Sequence, residues 1–109
     1  MVWHVEVLDE RVAREIDSLP PKHKARFLRI VDLIESMGLP NIGAPYVEKL
    51  HGKLWEIRVR ADSGVSRALY VVASRQRMIV VRAFVKKTQK TPPREIALAL
   101  RRAKEAGLA

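Results

Sequence analysis

The sequence predicts an α+β fold: an antiparallel sheet under an N-terminal helical hairpin, followed by a C-terminal helix. Three observations predict it. Apolar residues recur at helical spacing between Val12 and Ile34 and again between Ile96 and Leu100. Between those stretches lie three strand-like runs separated only by short polar turns, which favours an antiparallel meander. The chain has 109 residues, 48% hydrophobic and 30% charged, enough for one domain with a buried core and a solvated surface.

Val2 to Leu8 opens the chain as a strand, with Trp3, Val5 and Val7 on one side. Asp9 suits a helix N-cap, with Glu10 in the first turn and Val12, Ile16 and Leu19 as one stripe. Pro20-Pro21 breaks that helix, and a proline at the first helical position suits the start of the next. Phe27, Ile30, Val31 and Ile34 line one face of the second helix, which stops at Gly38 with Pro40 just beyond. Leu39 to Lys53, with two glycines and two prolines, reads as a loop.

Leu54 to Arg60 alternates Trp55, Ile57 and Val59 with Glu56, Arg58 and Arg60, which predicts a sheet with one buried and one solvated face. Asp62-Ser63-Gly64 turns the chain into a strand from Val65 to Ala73, and Ser74 to Arg77 turns it into the last, Met78 to Val85. Thr91 is read as the cap of the final helix, with Pro92 at its first position and Glu95 in its first turn. Ile96, Leu98, Ala99 and Leu100 give it an apolar side. The order is β-α-α-β-β-β-α, without internal repeats or a domain linker.

Lysine and arginine outnumber aspartate and glutamate by 21 to 12, a formal net charge of +9. Such a field draws polyanions, and nucleic acid is the commonest in cytoplasm. The basic residues are spread over strands and turns rather than one amphipathic helix, which disfavours a membrane surface. No cysteine is present, so disulfides and thiolate metal sites are excluded. The N-terminal residues lack a signal-peptide pattern, and no apolar run approaches the roughly 20 residues of a membrane span. These features predict a cytoplasmic protein. The three histidines are scattered without metal-ligand spacing, so neither a metal nor another cofactor is expected.

The densest chemistry follows the last strand, where Lys86-Lys87-Thr88-Gln89-Lys90-Thr91-Pro92 sets three ammonium groups at a fixed end. Clustered lysines suit phosphate oxygens, and like charges depress one another's pKa toward the range where a lysine can carry a proton. Trp55, Tyr70 and Phe84 are expected in the core, His4 and His23 at the surface or an edge. His51 is the one histidine placed for proton transfer.

Lys49-Leu50-His51-Gly52-Lys53-Leu54-Trp55-Glu56-Ile57-Arg58, then Ser66-Arg67-Ala68-Leu69-Tyr70, then Phe84 through Pro92 together resemble the RelE superfamily of bacterial toxins, in its HigB-like, phage-related branch. The resemblance covers nearly the whole chain. It implies a type II toxin: an endoribonuclease that cleaves mRNA in the A site of the small ribosomal subunit. It also implies a cognate helix-turn-helix antitoxin. By the same resemblance, Arg67, Lys87 and Lys86 would be catalytic, and Lys49 and Arg58 would bind RNA; Arg60, Thr88 and Lys90 beside them are read as further RNA-binding residues. Glu56 stands where some relatives carry lysine, and no tyrosine occurs among residues 93–109, so the general base stays open.

RNA supplies its own nucleophile, the 2′-hydroxyl, so cleavage needs neither metal nor covalent enzyme intermediate. The protein must align that oxygen, stabilise the phosphorane and move two protons. Arg67 suits the phosphorane, Lys87 a further charge or proton, Arg58 and Lys49 the positioning. Strand parity alone does not bring Arg58 and Arg67 together. Two other readings fit the sequence: a gyrase-inhibiting toxin of the same fold, as in the ParE branch, and a non-catalytic RNA-binding module.

Overall fold

The computed structural model describes residues 2–43, 46–61, 64–86 and 90–108. Strand β1 (His4–Val7) leads into helices α1 (Glu10–Asp17) and α2 (Pro21–Met37). A short 3-10 turn at Leu39–Asn41 precedes β2 (Val47–His51), β3 (Leu54–Ala61), β4 (Gly64–Ala73), β5 (Arg77–Lys86) and α3 (Pro93–Glu105). The five strands form one sheet in the order β1-β5-β4-β3-β2. The α+β class and the helical hairpin are as expected.

Local chemistry sets the helix ends. The Asp9 carboxylate accepts the Arg11 and Val12 N–H groups at 3.0 and 3.4 Å, closing the first turn of α1. Pro21 begins α2, where its missing N–H costs nothing. At the other end Gly38 adopts φ +87°, accessible essentially to glycine, and a Cβ there would meet Trp3 Cδ1 at 3.4 Å.

Strand alternation sorts the apolar residues into two layers. Ile57, Val59, Ala68, Tyr70, Met78 and Val80 face the hairpin and pack against residues such as Val12, Phe27 and Ile34. Leu54, Leu69, Val71, Ile79 and Val81 face the opposite way and are covered by Ala99 and Ala103 of α3. Tyr70 lies in the core as expected, and Trp55 and Phe84 pack half-buried against the two layers.

Several expectations are corrected. The stretch 39–53 contains β2, an additional strand, paired antiparallel with β3. The sheet is not wholly antiparallel, because β1 runs parallel to β5. Glu56 does not lie on a solvated face, since its side of the sheet is covered and it is 1% exposed. Thr91 does not cap α3: the N-cap is Pro92, which makes no side-chain cap bond, and Pro93 is the first helical residue. Glu95 lies in the first turn of α3 as expected, and accepts two hydrogen bonds from Arg82, at 2.7 and 3.2 Å. His23 is fully buried, with Nδ1 against the Ser66 hydroxyl of β4, because α2 lays that face on the sheet, chiefly over β3 and β1. Among the described residues, no helix is long and apolar enough to cross a membrane.

Candidate functional site

The α3-facing side of the sheet is apolar only beneath the helix. Beyond it the same face becomes ionic, and strand register determines which charges meet. Arg58 of β3 lies directly opposite Arg67 of β4, which lies opposite Phe84 of β5. One step along, Arg60 pairs with Val65 and Val65 with Lys86. Lys86 is therefore a diagonal neighbour of Arg67, about 7–8 Å away across the ladder, and Arg58 about 5 Å. Arg58, Arg60, Arg67 and Lys86 form one array on one face.

Glu56 organises the middle of this array. Arg67 Nη1 donates to Glu56 Oε1 at 2.8 Å, to the other carboxylate oxygen more closely, and to the Thr91 hydroxyl at 2.7 Å. That hydroxyl donates in turn to Glu56 Oε1 at 2.9 Å. Arg58 is ion-paired with Glu48 and, through Nε at 3.6 Å, with Glu56. Arginines set opposite one another would repel, and the interleaved carboxylates offset that repulsion.

Lys86 has only partial compensation, from the charge of Glu56. It is 7% exposed, and its ammonium is buried without a hydrogen-bond partner among the described residues. Burial, then the charges of Arg67 and Arg58, pulls its pKa below the ordinary lysine value, with Glu56 opposing. Burial likewise lowers the pKa of Arg67, which is 6% exposed, and Glu56 opposes that shift. An arginine stays protonated even so. The arrangement holds permanent guanidinium charge and, beside it, an ammonium biased toward giving up its proton.

The remaining expected positions are distributed differently. Lys49 pairs with Trp55 and so projects on the hairpin-facing side, opposite the array. His51 pairs with Leu54 at the other end of β3, four residues from Arg58, or about 13 Å along the strand. Lys90 is exposed in the segment leading to α3. Lys87 and Thr88 lie outside the described residues.

Two members of the cluster were not foreseen as functional. Glu56 and Arg58 share strand parity, a signal present in the sequence, but the contact of Glu56 with Arg67 depends on register. Thr91 gives no sequence signal beyond that of a helix cap.

A family model described as phage derived protein Gp49-like (DUF891) matches residues 14–104. Among solved structures, the chain is similar to a mutant of the E. coli toxin RelE in the free state, with TM-score 0.67 and 19% identity over 94% of this chain and 98% of that one. It is also similar to an archaeal RelE-RelB complex from Pyrococcus horikoshii OT3, with TM-score 0.55 and 27% identity over 78% of this chain and 96% of that one. No curated protein matches.

Proposed function

The chain belongs to the phage-derived Gp49-like family, and from that premise we propose that it is the toxin of a type II toxin–antitoxin pair, a ribosome-dependent mRNA endonuclease. The observation that carries this reading is the buried Lys86 ammonium, without a hydrogen-bond partner among the described residues, beside Arg67 and Arg58. A buried cation without a partner costs stability, and an incoming phosphate would supply the missing acceptors. Similarity to the RelE-RelB complex supports an antitoxin partner, read here as a helix-turn-helix protein. A ribosomal target places the protein in the cytoplasm.

In the proposed reaction the scissile phosphate settles on the array and takes acceptor positions on Arg67 that Glu56 now occupies. The 2′-oxygen attacks phosphorus in line as a base withdraws its proton. Arg67 stabilises the charge that builds on the phosphorane oxygens. Lys86, poised by its lowered pKa, gives a proton to the departing 5′-oxygen. The products are a 2′,3′-cyclic phosphate and a 5′-hydroxyl end. Arg58 and Arg60 hold the neighbouring backbone.

Primer extension on a message translated in a purified system tests this reading. New 5′ ends that depend on both the protein and the ribosome are expected, and they should vanish with Arg67→Lys, which keeps the charge but not the guanidinium fork. An intact message together with inhibited DNA supercoiling would instead favour the gyrase-directed reading.

A further inference from the structure

We infer that a cleft beside the cationic array, formed by Tyr46, Arg26, Ile30, Arg58 and Arg60, is a subsite for one unpaired nucleobase; this rests on the RNA reading above. The cleft shares Arg58 and Arg60 with the array. The Arg58 N–H donates to the Tyr46 carbonyl at 2.8 Å, so the aromatic residue is tied to the strand that carries the proposed phosphate-binding groups. A nucleotide with its phosphate on Arg58 or Arg60 therefore has a neighbouring base beside the cleft, whose other wall, Arg26 and Ile30, comes from α2.

The chemistry of the walls suits a base. Tyr46 is 42% exposed, unlike the core residue Tyr70. Its backbone is fixed by a turn, with N–H donating to the Gly43 carbonyl at 3.0 Å, and by the bond from Arg58. A tethered, exposed ring offers a stacking face at low entropic cost. Arg26 and Arg60 are exposed guanidiniums, planar groups that stack on bases and donate to their edges. Ile30 supplies an apolar floor. At 190 Å³ the cleft is smaller than the roughly 300–1,000 Å³ of pockets that enclose a whole small ligand. A single ring system matches its scale.

The test uses full-length protein and a short single-stranded RNA, 2′-O-methylated throughout to block cleavage, alongside a series with one abasic nucleotide at each position. Tyr46→Ala should weaken binding of the intact RNA about 10- to 100-fold. Tyr46→Phe should retain most of the affinity, because stacking needs the ring and not the hydroxyl. Against the RNA that is abasic at the stacked position, wild type and Tyr46→Ala should bind alike. Equal binding of intact RNA by wild type and Tyr46→Ala would overturn the subsite and leave the RNA reading standing. So would an equal loss across every abasic RNA. Failure of the wild type to bind any of these RNAs would also overturn the subsite, while the ribosome-dependent primer-extension assay decides the RNA reading separately.

Discussion

Replacing Lys86 with methionine should make the protein more stable and less active. Lys86 is 7% exposed, and its ammonium is buried without a hydrogen-bond partner among the described residues, while Arg67 and Arg58 repel it against the attraction of Glu56. A buried polar group without a partner costs about 1–3 kcal/mol, and more when charged. Methionine keeps an unbranched chain and brings no group that needs solvation. The expected gain at neutral pH is therefore about 1–3 kcal/mol, or roughly 4–12 °C in melting temperature for a domain near this size. The pH dependence follows from the lowered pKa. Below the folded-state value both states carry the charge and the penalty is complete. Between the folded-state and unfolded-state values the unfolded chain holds more protons, so wild-type stability rises with pH. The advantage of methionine should shrink over that alkaline interval. Urea denaturation followed by far-ultraviolet circular dichroism, at a series of pH values, measures it. A variant no more stable than wild type at neutral pH, or an advantage unchanged through the alkaline range, would refute the buried-cation account. Full cleavage activity in the stabilised variant would refute the role given to Lys86.

Two further outcomes follow from the same cluster. Glu56→Ala removes the carboxylate that both Arg67 and Thr91 contact, taking the ion-pair partner from a buried guanidinium, and should cost about 3–5 kcal/mol. The double variant Glu56→Leu with Arg67→Met should recover most of that loss in thermal melts, because it removes both charges together. A single-variant cost below about 1 kcal/mol would mean the pair is solvated. Binding to single-stranded RNA should weaken with salt, with a log–log slope of about −1.4 to −2.8 for two to four phosphate contacts. A flat response would exclude recognition through the cationic array.

Some of this organisation is local and therefore visible in the sequence. Asp9, Pro21 and Gly38 mark helix ends through their own backbone and side-chain chemistry, and apolar spacing identifies the faces of α1, α2 and α3. Period-two alternation puts Glu56, Arg58 and Arg60 on one side of β3. β2 escaped notice because Val47–His51 is a short edge strand bearing Glu48 and Lys49. Edge strands carry charge that blunts further pairing, which erases the apolar signal. Thr91 looked like a helix cap because the local pattern allows one; its place against Glu56 and Arg67 is made by contacts 35 and 24 residues away in sequence.

By itself the chain determined its three helices, four of its five strands and its basic charge, since each depends on residues near one another. Tertiary structure decided which cations share a site. The pairing of Arg58 with Arg67, the diagonal approach of Lys86 and the placement of Lys49 on the other face follow from register between strands and from a β2–β3 hairpin. Alternation fixes a side chain's face relative to its own strand, but a shift of one residue in pairing would exchange every partner, and only the packing of both apolar layers fixes that register.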